Sequence, residues 1–238
     1  MNTYISVILA GGENCEFGVK NLSQTKSQFS VSAHSTLLHE IYQQYKSPFK
    51  TIIACKSEDM KFFELDENFN SATFTEIRGN TAGALATLGL TVDEIKDDVP
   101  ILVAPGDGLI FDTAEPFINE MVTNRVTAGL IVFPSSNPDY SYVRSVGNLA
   151  IEIAEKMIIG RLATTGIYYF ENKKVLLECI KWVLVNNMHL NGSYYLSVGI
   201  NQLIAQRNQV RLFEINETDY FRFATPDEAL SSRERLRK

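Results

Sequence analysis

The stretch Tyr4-Ile5-Ser6-Val7-Ile8-Leu9-Ala10-Gly11-Gly12 decides how the rest of the chain is interpreted. Its apolar run, rich in Ile and Val, predicts a buried strand, and two glycines end that strand abruptly. Because glycine has no Cβ, such a turn can approach a phosphate closely and direct backbone N–H groups at it. The alternative is an ordinary strand-ending turn, which any two glycines can form. Residues further along the chain have to decide between the two.

The bulk composition is that of an ordinary globular chain of 238 residues, 45% hydrophobic and 21% charged. This length accommodates one sizeable α/β domain or two small ones, and no composition break marks a linker. We therefore predict a single domain over residues 1–238. The net charge of −6 argues against a nucleic-acid binder, which would show a basic field. A nucleotide substrate stays compatible with that charge, because a metal ion and local cations can neutralise a triphosphate.

The cysteines and the N-terminus indicate the cellular compartment. Cys15, Cys55 and Cys179 lie far apart without C-x-x-C spacing, which predicts reduced thiols and neither a disulfide framework nor a zinc site. The first apolar run is too short for a signal peptide or a membrane span, and no basic segment precedes it. We therefore expect a soluble, cytoplasmic protein with no membrane or nucleic-acid partner.

Alternating strand and helix patterns predict the α/β fold class. A serine-capped helix over 35–45 lies between buried strands at 4–10 and 49–55, and this order favours a parallel pair joined by a crossover. Residues 13–21 are polar and contain Gly and Asn, so we expect a flexible loop there. Further strands are predicted at 72–77, 100–104, 128–133, 140–144, 150–154, 165–170 and 210–215. Further helices are predicted at 57–63, after Gly83, and at 114–124, 175–186, 194–206 and 227–238.

Two further segments could carry a ligand. Pro105-Gly106-Asp107-Gly108 follows a buried strand, and α/β sheets bind ligands at the carboxyl ends of their strands. Asp and Gly also form ordinary turns, so this segment alone leaves both interpretations open. The segment Arg78 to Leu88 runs from a Gly-bearing loop into a helix of small residues. It would serve either close helix–sheet packing or a flat ligand-binding face.

Taken in order, these motifs give the chain a resemblance to the sugar-phosphate nucleotidylyltransferase-like family, especially to small bacterial members found with capsule and surface-polysaccharide genes. The resemblance covers nearly the whole chain. Each motif is weak singly, and the complete series in the family's order carries the resemblance. In chain order the motifs are Ile8-Leu9-Ala10-Gly11-Gly12, Lys26, Asn80-Thr81-Ala82-Gly83-Ala84, Leu102-Val103-Ala104-Pro105-Gly106-Asp107, Asn137-Pro138-Asp139-Tyr140-Ser141-Tyr142, Ile153-Ala154-Glu155-Lys156, Thr165-Gly166-Ile167-Tyr168-Tyr169-Phe170, Asn191-Gly192-Ser193-Tyr194-Tyr195 and Ala224-Thr225-Pro226.

The resemblance implies a three-layer nucleotide-binding sheet, mostly parallel with an antiparallel portion. It also implies a reaction in which a nucleoside triphosphate is joined to a phosphorylated sugar or similar small molecule with release of pyrophosphate. Such a step depends on positioning, cations and Mg²⁺ more than on covalent chemistry. The implied nucleotide-binding residues are Leu9, Ala10, Gly11 and Gly12, through the backbone, and Thr81, Ala82 and Gly83, against the base.

The resemblance also implies roles for single side chains. Lys26 would neutralise charge at the α-phosphate, and Asp107 would be catalytic and hold Mg²⁺. Lys156 would contact the acceptor's phosphate, and Gly166 and Asn191 would line the acceptor pocket. Without the family pattern, a loop lysine such as Lys26 or Lys156 is by default a solvated surface charge.

The chain departs from the family pattern at positions that bear on catalysis. After the paired glycines the family has a further glycine and then an arginine that binds the triphosphate. In this chain Asn14 stands in place of that glycine and Glu16 in place of that arginine. A carboxylate at that position removes a fork of donors and adds repulsion. The family's proline before the lysine is Thr25. A second metal-binding aspartate is expected near the C-terminal Gly-Thr-Pro-like turn, where this chain has Arg222 and Ala224.

Three functions remain open from the sequence. The first is an active nucleotidylyltransferase with an altered triphosphate grip, using Lys20 or Arg222 as the cation, with Asp219 or Asp227 as a substitute metal ligand. The second is a catalytically impaired nucleotide or nucleotide-sugar binding module of the same fold. A glycosyltransferase ranks last, because such enzymes usually carry two carboxylates at D-x-D spacing. The tyrosine- and leucine-rich later half would support a homodimer.

Overall fold

The computed structural model describes residues 3–12, 15–23, 25–96 and 98–237. Its strands are β1 (Ile5–Ala10), β2 (Lys50–Lys56), β3 (Ala72–Ile77), β4 (Ile101–Pro105), β5 (Gly108–Leu109), β6 (Ala128–Pro134), β7 (Tyr142–Val146), β8 (Leu149–Ala154), β9 (Leu162–Phe170), β10 (Val210–Glu214) and β11 (Phe221–Arg222). Its helices are α1 (Cys15–Val19), α2 (Leu37–Tyr45), α3 (Ser57–Phe63), α4 (Ala84–Gly89), α5 (Ala114–Thr123), α6 (Lys173–Val185), α7 (Leu196–Ala205) and α8 (Pro226–Leu236).

In the described part of the chain, nine strands form one mixed sheet in the order β3-β2-β1-β4-β9-β6-β10-β8-β7. The first four strands are mutually parallel, and β6 and β10 are parallel to each other. Strand β9 lies antiparallel between β4 and β6, and β8 is antiparallel to β10 and to β7. Strands β5 and β11 form a separate antiparallel pair. The predicted α/β class, with a parallel portion and an antiparallel portion, is confirmed.

Helices cover both faces of the large sheet. In β1, Ile8 packs into one core with residues of α2 and α5, whereas Val7 packs into the other core with residues of α4, α6 and α7. Every residue of β1 except Leu9 is buried, as expected for a strand covered on both faces. The expected three-layer arrangement is therefore present. The buried strands have continuous apolar sequences because both faces of the sheet exclude water.

One local prediction was wrong. Residues 13–21 were expected to form a loop, but Cys15–Val19 is a short helix. Phe17 is fully buried and packs edge-to-face on Phe29, with ring centroids 5.8 Å apart. This tertiary contact stabilises a helix that local propensity, with Gly18 in its centre, does not favour. The other predicted helices and strands are present, with ends that differ by up to three residues.

The cysteines and the helix lengths bear on two further expectations. Cys55 and Cys179 are free and buried, in agreement with the expected reduced thiols. Across the ranges described above, none of the helices combines the length and the apolar character that a membrane crossing requires.

Candidate functional site

A cavity of about 470 Å³ opens at the sheet edge where β1 and β4 end. Its volume falls within the usual range for small-molecule sites. Seven of the predicted site residues line it: Leu9, Gly11, Gly12, Thr81, Gly83, Asp107 and Gly166. Residues that lie far apart in the sequence therefore meet at one cavity.

The end of β4 is held tightly against the end of β1. The N–H of Gly106 donates to the carbonyl of Leu9 at 2.8 Å, and a Cβ on Gly106 would lie 2.6 Å from Cα of Ala10. Only glycine fits that contact without moving the backbone. The buried hydroxyl of Tyr45 donates to the carbonyl of Gly108 at 3.0 Å and fixes the next turn. Asp107, between these two glycines, is thereby presented beside the Gly11-Gly12 turn.

Asp107 forms an ion pair with Lys26. Nζ of Lys26 lies 3.0 Å from Oδ2 of Asp107, and the two side chains are 14% and 33% exposed. Burial opposes ionisation of Asp107, but the charges of Lys26 and Arg222 prevail and hold its pKa below the usual value. Two predicted catalytic residues that are 81 positions apart are therefore in direct contact, and Asp107 is ionised.

The loop that carries Lys26 is anchored on the buried carboxylate of Asp59 in α3. The hydroxyl of Thr25 donates to Oδ1 of Asp59, and Nε2 of Gln28 donates to the same oxygen at 3.2 Å. Ser27 adds a further side-chain hydrogen bond, yet burial raises the pKa of Asp59. Asp59 was not among the predicted site residues. The sequence signal for Asp59 was indirect: Thr25, which stands where the family has proline, supplies a hydroxyl that donates to the Asp59 carboxylate.

The opposite wall of the cavity contains a second carboxylate, that of Glu155. Buried Ser141 and Ser197 both donate to Oε2 of Glu155, the latter at 2.7 Å. The Glu155-Lys156 motif was predicted to act through Lys156, and that prediction missed Glu155 and both serines. Two hydroxyl donors on one oxygen hold the carboxylate in place, and a carboxylate that lines a cavity is an acceptor for a ligand with O–H or N–H groups.

Besides Lys26, which contacts Asp107, four predicted site residues do not line the cavity. Lys156 is exposed, and its Nζ lies 5.9 Å from the ring centroid of Tyr195, which itself lines the cavity. Asn191 is exposed beside the same wall. Ala10 points into the core, and the carbonyl of Ala82 accepts from the N–H of Tyr194 at 2.8 Å.

The positions that depart from the family pattern are only partly at the cavity. Asn14 lies outside the described residues, and Glu16 is an exposed residue of α1. Lys20, a candidate cation, pairs with Asp227 at 2.7 Å. Arg222 and Ala224 line the cavity itself. Of the two candidate cations, the structure brings Arg222 to the site.

Asp107 would supply one carboxylate to a metal ion at this cavity. Mg²⁺ is usually bound by one or two carboxylates together with substrate phosphate oxygens, so a single Asp107 fits an ion that arrives with a nucleotide. Within the described residues there is no cluster of three or more His, Cys, Asp or Glu side chains that would hold a metal alone. The donor set therefore fits an ion that Asp107 would hold together with oxygens of the substrate.

The order of strands and the cavity at the ends of β1 and β4 define the class of fold, that of the sugar-phosphate nucleotidyltransferase-like proteins. The nucleoside-diphosphate-sugar pyrophosphorylase from Vibrio cholerae RC9 superposes with a TM-score of 0.82 at 19% identity, over 97% of this chain and 99% of the other. A protein assigned as a glucose-1-phosphate thymidylyltransferase from Bacillus anthracis gives 0.77 at 19% identity, over 99% and 96%. The inositol-1-phosphate CTP transferase from T. maritima gives 0.74 at 12% identity, over 100% and 98%.

By sequence alone, no family model and no curated protein matches the chain. Identities of 19% and below show a shared fold and no more. The resemblance drawn from the ordered motifs is confirmed at the level of the fold.

Proposed function

We propose that this chain is a nucleotidylyltransferase that joins a nucleoside triphosphate to a phosphorylated sugar or a similar small phosphorylated metabolite. The observation that carries the proposal is that one cavity has a glycine turn on one wall, the Glu155 carboxylate on the other and the Lys26–Asp107 pair at its edge. The glycine turn suits a nucleotide, and Glu155 suits the hydroxyl or amine groups of an acceptor. The three solved structures of the same fold are named for transfer reactions or pyrophosphorylase activity of this kind.

In the proposed reaction, a phosphate oxygen of the acceptor attacks the α-phosphorus of the nucleotide in line. A new P–O bond forms, the bond between the α-phosphorus and the bridging oxygen breaks, and pyrophosphate leaves. The Gly11-Gly12 turn binds and orients the nucleotide, and Lys26 stabilises the negative charge that develops at the α-phosphate. Lys156, at the cavity mouth, receives the acceptor phosphate in this scheme. Mg²⁺, when bound at Asp107 with phosphate oxygens, supplies additional charge neutralisation.

Pyrophosphate release tests the proposal. The protein is incubated with Mg²⁺, each common nucleoside triphosphate and a panel of phosphorylated acceptors, and pyrophosphate is measured with a coupled assay. At least one pair should turn over, and Asp107→Asn should lower the rate by about a hundredfold, because the carboxylate that would hold Mg²⁺ and that pairs with Lys26 is lost. The control is Asp112→Asn, an equally conservative change at an exposed position outside this cavity. Absence of pyrophosphate with every pair would refute the proposed activity.

A non-catalytic nucleotide or nucleotide-sugar binding module is the second candidate. It is favoured by the state of Asp107, whose Oδ2 is paired with Lys26, and by the absence of a metal-holding cluster among the described residues. Such a module would show thermal stabilisation by nucleotide without pyrophosphate release. The glycosyltransferase alternative has no observation of its own in its favour.

Further details of the proposal rest on the motif resemblance. We propose that the product serves capsule or surface polysaccharide synthesis, and that the protein acts in the cytoplasm as one nucleotidyltransferase-like domain over residues 1–238. A homodimer fits the tyrosine- and leucine-rich later half. Analytical ultracentrifugation of the full chain checks the dimer.

A further inference from the structure

Strand β11 brings Arg222 next to Asp107. Arg222 is paired with Gly108 across the β11–β5 ladder, and the N–H of Phe223 donates to the carbonyl of Asp107 at 2.8 Å. Backbone hydrogen bonds on both sides of Arg222 therefore fix its distance from the Asp107 turn.

The guanidinium of Arg222 is held by two side chains. Nη1 donates to Oε1 of Glu228 at 2.7 Å, and the guanidinium carbon lies 4.8 Å from the ring centroid of Tyr140. The second oxygen of Glu228 accepts the N–H of Thr225 at 3.0 Å, in the capping box that begins α8. The Arg222 side chain is only 23% exposed. Its guanidinium is therefore fixed in position by its neighbours, unlike that of a freely solvated surface arginine.

Arg222 is the cationic member among the described charged residues that line the cavity, and the others are Asp107, Asp139 and Glu155. Nζ of Lys26 lies 3.0 Å from Oδ2 of Asp107, which lines the same cavity. A phosphate chain entering beside Asp107 would therefore meet Lys26 and Arg222. The planar guanidinium has five N–H donors, of which Glu228 uses one, and its geometry suits two phosphate oxygens at once.

We propose that Arg222 is a phosphate-binding residue of this cavity and that, with Lys26, it neutralises the phosphates of the nucleotide. This inference rests on the proposed function and assigns its nucleotide-phosphate contact to a specific side chain. Nucleotide binding is then only weakly dependent on free Mg²⁺.

Calorimetric binding of CTP, UTP, dTTP, ATP and GTP, with Mg²⁺ and with EDTA, tests the inference. Wild type should bind its preferred triphosphate in EDTA with a dissociation constant within about tenfold of the Mg²⁺ value. Arg222→Gln, which retains a hydrogen-bonding amide beside Glu228 and Tyr140, should raise that constant in EDTA by about tenfold or more, because a charge-assisted hydrogen bond is lost. Arg222→Lys should fall between the two, because it keeps the charge and loses the fork.

Two controls separate phosphate binding from an effect on folding. The matched nucleoside lacks phosphates, so Arg222→Gln should leave its affinity unchanged. Arg161→Gln removes an arginine that is 67% exposed and pairs with Glu214 away from this cavity, and it should bind the triphosphate as wild type does.

The outcomes distinguish the inference from the proposed function. If Arg222→Gln and Arg222→Lys bind the triphosphate in EDTA as wild type does, while pyrophosphate is still released, only the role of Arg222 is refuted. Equal weakening of nucleoside and triphosphate binding by Arg222→Gln also refutes it. If wild type binds no triphosphate in either buffer and releases no pyrophosphate, the inference and the proposed function both fail.

Discussion

At the scale of single residues, two carboxylates near the cavity have surroundings that move their pKa values in opposite directions. Burial raises the pKa of Asp59 despite its hydrogen bonds from Thr25, Ser27 and Gln28. Asp107 is only partly buried, and burial acts to raise its pKa, but the charges of Lys26 and Arg222 lower it. Asp107 therefore remains an anion that can bind a cation. Ionisation of Asp59, which fixes the loop that carries Lys26, costs free energy of folding.

The raised pKa of Asp59 predicts a pH-dependent cost to stability. Its folded-state pKa lies above the unfolded value of about 3.9, so wild type loses stability as the pH rises from that value through the folded-state pKa. Asp59→Asn cannot ionise and should gain stability relative to wild type across this window, by about 1.4 kcal/mol for each pH unit between the two pKa values. Urea unfolding from pH 4 to 8 measures the difference in unfolding free energy.

The control for this pH experiment is Asp93→Asn, which removes an exposed carboxylate and therefore changes no buried charge. If the difference between Asp59→Asn and wild type is the same at every pH from 4 to 8, ionisation of Asp59 does not affect stability.

Sequence patterns predicted some of the site residues because a local pattern marks them. Gly11, Gly12 and Asp107 each follow an apolar strand, and strand ends of a parallel portion meet at one edge. Glu155 also follows an apolar strand, but its role was missed because the residues that fix its carboxylate, Ser141 and Ser197, are 14 and 42 positions away. A carboxylate that is fixed only by distant hydroxyls cannot be recognised from its neighbours in the sequence.

At the scale of elements, the start of α4 is joined to the segment that precedes α7. The N–H of Tyr194 donates to the carbonyl of Ala82 at 2.8 Å, and the carbonyl of Tyr194 accepts from the N–H of Leu85 at 3.2 Å. Gly83 between them has φ of +92°, and a Cβ there would lie 2.6 Å from the carbonyl oxygen of Tyr194. The segments before α4 and before α7, which both contribute residues to the cavity, are thus hydrogen-bonded to each other, and the contact requires glycine.

Gly83→Ala should lower the free energy of unfolding by about 1–3 kcal/mol, because the added Cβ meets backbone atoms that cannot rotate away. Its matched control is Gly89→Ala in the same helix, where an added Cβ meets nothing within 4 Å. That change should leave stability unchanged or raise it by up to about 1 kcal/mol. Thermal and urea unfolding measure both variants. Equal effects of the two substitutions would contradict the close contact at Gly83.

Most helices and strands could be predicted because their hydrophobic patterns are strong. Helix α1 is an element that such a pattern does not predict. The strand Ala72–Ile77 and the helix Ser57–Phe63 have the predicted bounds. Helix α1 depends on Phe17 entering the core against Phe29, a contact that the polar and Gly-bearing sequence around it does not indicate. Tertiary burial decided the structure of that segment against its local propensity.

At the scale of the whole molecule, the large sheet joins early and late parts of the chain. Strand β9 pairs with β4 on one side and with β6 on the other, so residues 162–170 connect the parallel portion with the antiparallel portion. Hydrophobic cores on both faces include residues from both portions. Such continuity favours unfolding as one unit.

Because the sheet and its cores are continuous, we expect the chain to unfold in a single thermal transition. Bound nucleotide should raise the midpoint temperature of that whole transition. At a ligand concentration about a hundredfold above the dissociation constant, stability should rise by about 2.7 kcal/mol. Scanning calorimetry with and without the preferred triphosphate checks this expectation for the full chain. Two transitions, of which only one moves with nucleotide, would contradict the proposed single domain.

The position of β11 in the chain has a consequence for the order of synthesis. The last strand of the large sheet ends at Glu214, whereas Arg222 and the N–H of Phe223 that bonds to Asp107 come afterwards. Chains are made from the N-terminus, and regions of a protein begin to fold as they are produced. All nine strands of that sheet are therefore translated before the residues that complete the wall beside Asp107. During translation the protein can pair its sheet first, and it acquires a finished ligand cavity only when the segment after β10 has been added.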